Sequence, residues 1–571
     1  MMNLTPEQRA EGRENFYSGV TRRDFLAAGA TAGAVAGVGL GAFAFGYNRA
    51  IGTPVRVGVI GTGDEGSVLI GALNRDFIEV RSICDIRPYN RFRAIHGELG
   101  QPARPGLMSV YGWKSEAEAL RHVKVYENSY QELIDNAKRD RLEAVIIALP
   151  LHLHAPAAIA AMQAGLHVIT EKLMGHSVHE CKEMARVAKD TRLHLATGHQ
   201  RHYNVLYAQA TDQIRRGILG DLHYIRAQWH RSNLPGKDSW QMPLPPGVKS
   251  EKASDEVAKK LKEARKQLDE ATGSEWEQCH KRVAQLEAQV ADVILNKKGA
   301  DGRTLAETLG YENRTLQSPG GSYDRPAIEE LIRWRLWDRT GAGLMAELGS
   351  HQLDASSIFI AAMHEGVKQH PLNVIAAGNR PIFPNDRDIE DHVYCVIEFP
   401  APGYDPNDEF KQRKKISVQY SSINGNGFGG YGEIVYGTKG TLILEKEEEV
   451  MLFKGPSAPS TIKVSGGAAG PTMDTQASGP SHQAATSSAK ETVSRGYAEE
   501  LEHWAWCIRH PSPENRPRCH PEVAMGDAVI ALTTNMAARQ SKRIVFDEEW
   551  FQIDSDETPE GVKPDLGRYK A

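Results

Sequence analysis

An apolar, β-rich run that ends in a glycine-rich turn constrains the fold of this chain more than any other stretch. The run Val55–Ile60 leads into Gly61-x-Gly63-x-x-Gly66, and an apolar helical pattern begins at Ser67. In this setting the first glycine permits a tight turn, the second lets the backbone approach a pyrophosphate, and the third lets helix and strand pack closely. The helix N-terminus adds unpaired N–H groups that favour an anion. The pattern therefore predicts a dinucleotide-binding unit.

The choice of dinucleotide depends on the end of the next β-rich run. That run, 77–84, ends at Asp85, whose carboxylate is placed to accept hydrogen bonds from the adenosine ribose hydroxyls. Asp85 favours NAD because it repels a 2′-phosphate, whereas Arg87 can contact such a phosphate. The sequence therefore leaves NAD and NADP open.

The hydrophobic pattern divides the chain into two domains. Over residues 54–198, short β-rich runs alternate with helical patterns, which predicts parallel βαβ units. Over residues 199–548 the strands follow one another without regular helical crossovers, which predicts a largely antiparallel sheet. The predicted fold class is α/β, with an N-terminal Rossmann domain and a C-terminal α/β domain whose mostly antiparallel sheet is open. An open sheet face is often left for a partner subunit, so we expect a homo-oligomer, a dimer or tetramer.

Two segments of the second domain have the character of insertions. Residues 250–295 are highly charged and carry apolar residues at helical spacing, which predicts a helical hairpin with a narrow apolar seam. This hairpin either packs on its own subunit or contacts another, and the sequence does not decide between the two. Residues 454–496 are rich in Gly, Ala, Ser, Pro and Thr and indicate a flexible surface loop. Residues 549–571 form a C-terminal tail.

The N-terminal segment is typical of an exported protein. Thr21-Arg22-Arg23-Asp24-Phe25-Leu26 has the pattern of a twin-arginine signal, and a weakly apolar Ala/Gly-rich stretch follows. The alternative is a membrane anchor, and we leave cleavage open. We therefore set residues 1–50 apart from the fold and expect a periplasmic or otherwise exported protein that engages the twin-arginine translocation machinery. Since that route moves folded proteins, we expect the cofactor to be bound tightly and carried along.

Composition excludes several classes of function. The net charge is −5, and no cluster of Lys and Arg interleaved with aromatic residues indicates nucleic-acid binding. The six cysteines are scattered without a CxxC pair, and no spacing typical of metal ligands stands out. We therefore predict neither a nucleic-acid partner nor a metal.

Candidate catalytic groups follow the later strands. One apolar strand runs into Leu149, Pro150 and His154, and the next ends at Glu171-Lys172, at the sheet edge where ligands bind. The Lys172 ammonium can hydrogen-bond a substrate hydroxyl and stabilise a developing alkoxide. A solvated lysine at a strand end is the alternative.

A second group of candidates lies near a predicted apolar helix. His351 lies between the acids Glu347 and Asp354 and can act as a general base, although a histidine that caps a buried helix is the alternative. Upstream, Trp334 and Arg335 indicate either a wall on which a sugar stacks or an apolar core patch.

In this order the pieces resemble the Gfo/Idh/MocA oxidoreductase family, over residues 55–230 and 330–546. The most specific block runs from Ala148-Leu-Pro-Leu-His-Leu-His154 to Glu171-Lys172-Leu-Met174, although Leu173 replaces the family's usual proline. The resemblance implies a Rossmann domain, NAD(P), and sugars, inositols or related polyols as substrates. It maps the catalytic lysine onto Lys172 and the catalytic histidine onto His351, with Glu347 in the place of the usual Asp. The segment Gly198-His-Gln200-Arg201 resembles one that lines the family's cleft.

The resemblance implies hydride transfer between the substrate and the nicotinamide ring, with His351 accepting the hydroxyl proton and Lys172 polarising the same oxygen. A glycoside hydrolase that works by transient oxidation is the alternative, although such relatives tend to lack the Glu-Lys pair. A non-catalytic binding module is a third. The predicted catalytic residues are Lys172, His351 and Glu347. The predicted substrate contacts are Arg201, Trp334, Arg335 and Asp354. The predicted cofactor contacts are Gly61, Thr62, Gly63, Asp64, Glu65, Gly66, Asp85, Arg87, Leu149, Pro150, His154, Glu171, Lys172 and Gln200.

Overall fold

The computed structural model describes residues 4–18, 45–47, 51–249, 256–318, 321–455 and 495–569. The twin-arginine pattern, and nearly all of the segment predicted to be a flexible loop, lie outside these residues. Among the residues described, no helix combines the length and the apolar character needed to cross a membrane.

The N-terminal domain is built on a six-stranded parallel sheet in the order β3-β2-β1-β4-β5-β6. Its strands are β1 (Val55–Ile60), β2 (Ile78–Cys84), β3 (Lys124–Tyr126), β4 (Ala144–Ile147), β5 (His167–Glu171) and β6 (Leu195–Gly198). The strands read as continuous apolar runs because helices cover both faces of the sheet. The predicted Rossmann domain is confirmed.

The helices of this domain connect the strands on either side of the sheet. After α1 (Pro6–Ser18) they are α2 (Asp64–Ala72), α3 (Pro88–His96), α4 (Gly106–Tyr111), α5 (Glu116–His122), α6 (Tyr130–Asp135), α7 (Ala137–Asp140), α8 (His154–Gln163) and α9 (Val178–Thr191). The strand order reverses between β1 and β4, and ligands of open α/β sheets bind at the carboxyl ends of the strands at such a point.

The C-terminal domain contains an eight-stranded sheet in the order β15-β14-β13-β7-β12-β11-β10-β16. Its strands are β7 (Leu222–His230), β10 (Asn373–Asn379), β11 (His392–Pro400), β12 (Lys415–Ile423), β13 (Tyr431–Gly437), β14 (Gly440–Glu445), β15 (Glu449–Lys454) and β16 (Ile544–Val545). Only the β7–β12 pair of this sheet is parallel, so the prediction of a mostly antiparallel sheet is confirmed.

Helices of the second domain pack on the sheet and frame the site. They are α10 (Val205–Arg215), α11 (Glu256–Glu270), α12 (Gly273–Ala291), α13 (Leu305–Thr308), α14 (Ala327–Ile332), α15 (Asp338–Gly341), α16 (Ser350–Ala362), α17 (Tyr497–Arg509) and α18 (Pro521–Gln540). A small hairpin, β8 (Arg314–Ser318) with β9 (Gly321–Arg325), follows the insertion.

Several strands of this domain were not predicted from the sequence. The pattern of β10 contains two alanines and a glycine, β16 has two residues, and β15 follows β14 after a short turn. The Ala/Gly content of β10 and the shortness of β16 weaken the local β pattern, and all three strands are held by pairing with neighbouring strands.

The predicted helical hairpin is α11 with α12, and it packs on the Rossmann domain of its own chain. Its apolar seam is buried between the two helices and consists of Val257, Leu261, Ala264, Val283 and Leu286, with Leu268 and Val290 beside them. The Gln285 side-chain oxygen accepts a hydrogen bond from the backbone N–H of Leu99 at 2.9 Å. Of the two roles left open, packing within the subunit is the one observed.

The N-terminal residues that the structure describes contact the folded domains, unlike the expectation for 1–50. Helix α1 lies on β15, where Arg9 pairs with Glu449 at 2.6 Å and Phe16 is buried. Phe45 and Tyr47 are buried against the Rossmann core. Burial of these aromatic rings removes apolar surface from water, which stabilises the contact between the N-terminal residues and the folded domains.

The C-terminal tail also packs on the fold, along α9. The Lys182 ammonium, whose side chain is buried, donates to the backbone carbonyls of Glu549, Ser555 and Glu557 at 2.9, 2.9 and 2.6 Å. The tail therefore satisfies a buried charge of the Rossmann domain.

Candidate active site

A cavity of about 500 Å³ lies at the carboxyl edge of the Rossmann sheet, where it meets the second domain. Its size is that of a small-molecule site. Most predicted site residues line it, namely Gly61, Gly63, Asp64, Glu65, Asp85, Arg87, Leu149, Pro150, Glu171, Lys172, Trp334, Arg335, Glu347 and His351. The strand ends and helix α16 therefore bring residues of three sequence regions together.

The glycine turn has the shape that a pyrophosphate requires. Gly61 has φ +84°, and a Cβ there would lie 2.4 Å from the Ala148 carbonyl oxygen. A Cβ on Gly66 would lie 2.1 Å from the Gly61 carbonyl oxygen, so this glycine permits close packing of α2 on β1. At Gly63 the nearest atom to an added Cβ would be the Asn90 amide nitrogen at 3.7 Å, so the space above the turn is open. The cradle fits a dinucleotide.

Asp85 is held in place by the turn. One of its oxygens accepts from the Thr62 backbone N–H at 2.8 Å and from the Asn90 amide at 3.0 Å. The other accepts from the backbone N–H of Arg87 at 2.9 Å. Thr62 itself does not line the cavity, and it acts through this hydrogen bond. The carboxylate is thus fixed at the cavity wall.

The Arg87 side chain points to the insertion and forms an ion pair with Asp292. Its Nε and one terminal nitrogen donate to the same Asp292 oxygen at 2.9 and 2.8 Å. The other Asp292 oxygen accepts from the Tyr89 backbone N–H at 3.0 Å. The guanidinium is therefore already neutralised beside Asp85.

Asp64 lines the cavity and is also surrounded by three arginines. It accepts a hydrogen bond from Arg93 at 2.9 Å, and Arg104 and Arg335 lie at 3.7 Å from its oxygens. Burial opposes the charge, but the arginines outweigh it and hold the pKa of Asp64 well below its ordinary value. This carboxylate therefore fixes the first turn of α2.

Lys172 and Glu347 meet at the cavity wall. The Lys172 ammonium donates to the Glu347 backbone carbonyl at 2.7 Å and lies 3.7 Å from one carboxylate oxygen. The Lys172–Leu173 peptide is cis. Burial raises the pKa of Glu347, but Lys172 and Arg335 more than compensate and lower it to about 2. The carboxylate is therefore charged at neutral pH and holds the ammonium in the cavity.

Arg335 links this carboxylate to an aromatic wall. Its Nε donates to Glu347 at 2.6 Å, and its guanidinium lies over the Trp334 ring at 4.4 Å. Both side chains line the cavity, in agreement with the sugar-stacking interpretation.

His351 is the second residue of helix α16, which begins directly after a π-helical turn at Met345–Gly349. Such turns are frequent at functional sites. Burial, followed by the charges of Lys172 and Arg201, holds the pKa of His351 well below its ordinary value of 6.5. The imidazole is therefore neutral at physiological pH and can accept a proton.

Glu171 precedes Lys172 in the chain, and its pKa is raised, whereas that of Glu347 is lowered. Burial and the nearby Glu65 carboxylate raise its pKa to about 8, against the lowering effect of Lys172. The pKa values of Glu171 and Glu347, the two carboxyl groups near Lys172, are therefore shifted in opposite directions.

His154 lies beneath the cavity rather than in its wall. Its two ring nitrogens contact the Leu173 and Leu149 carbonyl oxygens at 2.8 and 2.9 Å. The His154 ring thus bridges the two chain segments that carry Leu149 and Lys172, and it positions them relative to each other.

Besides Thr62, Gly66 and His154, three predicted contacts do not line the cavity, which corrects the sequence prediction for them. Arg201 is buried in an ion pair with Glu447 at 2.7 Å, and Asp354 is buried against His202 at 2.8 Å. Gln200 is buried in the turn after β6. Charged partners from distant segments hold Arg201 and Asp354 inside the protein, away from a substrate.

Sequence reasoning missed a set of aromatic and basic residues that line the same cavity. They are Trp229, Arg231, Trp240, Tyr311, Arg333 and Tyr497. The Arg231 guanidinium lies over the Trp229 and Trp240 rings at 5.9 and 5.3 Å. The only sequence signal was the position of Trp229 at the end of β7, and that position alone does not indicate a site.

A known family model matches the first domain. Residues 55–199 match the sequence model of the Gfo/Idh/MocA family, described as "Oxidoreductase family, NAD-binding Rossmann fold". The first domain is therefore similar to that family over this stretch, in agreement with the resemblance.

Curated relatives are similar over about a third of the chain. A glycosyl hydrolase family 109 protein of Stenotrophomonas maltophilia is 32% identical over 213 residues, which are 36% of this chain and 41% of the relative. An alpha-N-acetylgalactosaminidase of Bacteroides fragilis is 25% identical over 178 residues, 31% of this chain and 37% of the relative. The match thus spans about two fifths of these relatives' length.

Solved structures share the fold over most of the chain. An inositol dehydrogenase homolog from Azotobacter vinelandii, complexed with NADH and myo-inositol, is 13% identical with a TM-score of 0.51 over 86% of this chain and 98% of its own. The WlbA dehydrogenase of Bordetella pertussis, in complex with NADH and UDP-GlcNAcA, is 13% identical with a TM-score of 0.50, over 86% and 99%. At this identity the likeness establishes the two-domain fold.

Proposed function

We propose that the chain is an NAD-dependent oxidoreductase that acts on a hydroxyl group of a sugar, glycoside or polyol. The observation that carries the proposal is that Lys172 and His351 line the same cavity as the glycine turn and Asp85. A general base, a donor to the developing alkoxide and a dinucleotide cradle together are sufficient for alcohol oxidation by hydride transfer.

Bound NAD supplies a hydride acceptor or donor at C4 of its nicotinamide ring. The chain's own residues handle the proton and the oxygen. His351, neutral because of its burial, accepts the hydroxyl proton at a ring nitrogen. Lys172 donates a hydrogen bond to the same oxygen and stabilises the charge that develops on it. Glu347 keeps Lys172 oriented.

We infer that the chain prefers NAD to NADP. Asp85 presents a carboxylate at the cavity wall, and Arg87 is paired with Asp292. The Asp85 carboxylate would repel a 2′-phosphate, and the phosphate would have to compete with Asp292 for Arg87. Both acids therefore favour the unphosphorylated ribose.

A carbohydrate is the substrate class that the rest of the wall supports. Trp229, Trp240 and Trp334 line the cavity together with Arg231, Arg333 and Arg335. Aromatic faces stack on the apolar side of a sugar ring, while the guanidinium groups donate to hydroxyl or carboxylate oxygens.

A glycoside hydrolase that oxidises its substrate transiently is the second candidate. The names of the curated relatives favour it, and the Glu171-Lys172 pair favours net oxidation. Both candidates use the same cavity and cofactor, so the reaction products distinguish them.

The test is a pair of measurements on the purified protein. Mass spectrometry of the nucleotide released by denaturation is expected to detect NAD, retained through dialysis. With a panel of sugars and nitrophenyl glycosides, we expect reduction of bound NAD by a free sugar or glycoside. Release of nitrophenol without net reduction would instead establish the hydrolase, and absence of any nucleotide affinity would contradict both.

We also propose export through the twin-arginine machinery and assembly into a homo-oligomer. The first is supported by the Arg22-Arg23 pattern. The second is supported by apolar side chains exposed on the eight-stranded sheet, Ile375, Tyr394, Val396 and Val545. Export that survives replacement of both arginines by lysine, or a monomer in analytical ultracentrifugation, would contradict the respective proposal.

A further inference from the structure

A buried cluster of metal-ligating side chains lies behind the active-site wall. His199, Cys519 and Asp527 have their ligand atoms within 4.8 Å of one another, and His202, Asp354 and Asp527 do so as well. His199, Cys519, Asp527 and Asp354 are each 1% exposed, and none of the five residues lines the cavity. The cluster is thus separate from the candidate active site.

Several polar atoms in this cluster lack a hydrogen-bond partner among the residues that the structure describes. They are both ring nitrogens of His199, one oxygen of Asp354 and one oxygen of Asp527. His199 Nδ1 lies 3.6 Å from Asp354, beyond hydrogen-bond distance. Buried polar atoms without partners are costly, and an unplaced ion is one of their common explanations.

The donor groups of the cluster suit a cation. Asp354 and Asp527 bring two carboxyl groups, Cys519 brings a thiol, and the Lys368 ammonium donates a hydrogen bond to Asp527. With both carboxyl groups ionised, the thiol deprotonated and Lys368 protonated, a bound divalent ion would make the total charge zero.

We propose that His199, Cys519, Asp527 and Asp354 bind a divalent transition-metal ion, with zinc the best match. An imidazole, a thiolate and carboxylates are the ligands that Zn²⁺ takes in tetrahedral sites. Full burial without an approach for substrate is typical of a structural site rather than a catalytic one.

The ligands come from elements that meet only in the folded protein. His199 follows β6 of the Rossmann domain, Asp354 is on α16, and Cys519 and Asp527 lie before and within α18. Asp354 is one helical turn beyond His351 on α16. The metal therefore fastens the helix that carries His351 to the end of the Rossmann sheet, as a positioning site.

Metal analysis of the full-length protein, purified without chelators or a histidine tag, tests the proposal. We expect about one zinc per chain by mass spectrometry, and loss of that zinc in Cys519→Ser and Asp527→Asn. Cys181→Ser replaces another buried thiol, on α9 outside the cluster, and is expected to retain the metal. The nucleotide released on denaturation reports separately whether each variant is folded.

Cobalt provides a second, spectroscopic readout that reports directly on the thiolate ligand. Wild-type protein exchanged into Co²⁺ is expected to show thiolate-to-metal charge-transfer absorption that Cys519→Ser lacks. Protein that contains no zinc and takes up none on dialysis against zinc would overturn the site. Equal zinc in wild type and Cys519→Ser would overturn it too, since the metal would lie elsewhere.

Discussion

Residues distant in sequence shape the surroundings of Lys172 and His351 in one cavity. The Lys172 ammonium donates to the Glu347 backbone carbonyl, and the Glu347 carboxylate, whose pKa is about 2, lies 3.7 Å from it. Burial, followed by the nearby positive charges, lowers the pKa of His351 well below its ordinary value.

Replacement of Lys172 by Met is expected to lower kcat by about 10²-fold or more, because removal of one preorganised donor to a developing oxyanion costs that much. Bound nucleotide is expected to stay, since the glycine turn is untouched. Steady-state kinetics and the released nucleotide measure the two effects. Lys189→Met removes an exposed lysine and is the control. Near-normal turnover in Lys172→Met would refute the assignment.

Glu171 predicts a pH dependence of stability. Its folded pKa of about 8 lies above the ordinary 4.5, so between these values the folded protein binds a proton that the unfolded chain lacks. The free energy of unfolding therefore falls as pH rises through this window, and Glu171→Gln removes the fall. Denaturant unfolding at several pH values measures it, with exposed Glu277→Gln as control. Parallel curves for wild type and Glu171→Gln would contradict the prediction.

The inserted hairpin is an element with a consequence for the cofactor site. It packs on α3, and the 3₁₀ turn that follows α12 carries Asp292, which binds Arg87. The insertion thereby neutralises Arg87, the cation that the sequence analysis assigned to a possible 2′-phosphate contact.

Asp292→Asn is expected to tighten NADP binding by about tenfold, or ~1.4 kcal/mol, because Arg87 loses its carboxylate partner. NAD affinity should change little. Calorimetric titration of nucleotide-free protein gives both dissociation constants. The matched control is Asp301→Asn, an exposed acid of the same region. If Asp292→Asn/Arg87→Ala bound NADP as tightly as Asp292→Asn, Arg87 would not be the reason.

At the scale of the whole molecule, the two chain ends pack on the domains between them. Helix α1 lies on β15 of the second domain, whereas the tail lies on α9 of the first. Both contacts use charged groups from the ends and the body of the protein, so stability depends on segments outside either sheet.

A chain truncated after residue 548 is expected to melt at lower temperature, because the Lys182 ammonium loses three carbonyl acceptors while its stem stays buried. Lys182→Met in the truncated chain should recover part of the loss, since no buried charge then remains. Truncation after residue 565 keeps the three carbonyls and is the control. Calorimetry measures Tm, and equal Tm values for both truncations would contradict this role.

Local sequence was sufficient for the Rossmann domain and for the core of the site. The turn at Gly61, Gly63 and Gly66, and Lys172 at the end of β5, are set by residues adjacent in the chain. Turn chemistry and hydrophobic periodicity act over a few residues, so they can be read without the fold. The family resemblance added His351, which local pattern left open.

Only the tertiary structure decided where charged side chains point. Arg87 meets Asp292 across 205 positions, and His199 meets Cys519 and Asp527 from another domain. The tertiary structure also places Arg201 and Asp354 in buried ion pairs rather than in the predicted substrate site. Such pairings depend on which elements pack together, and their free energy depends on burial. A one-dimensional pattern contains neither quantity.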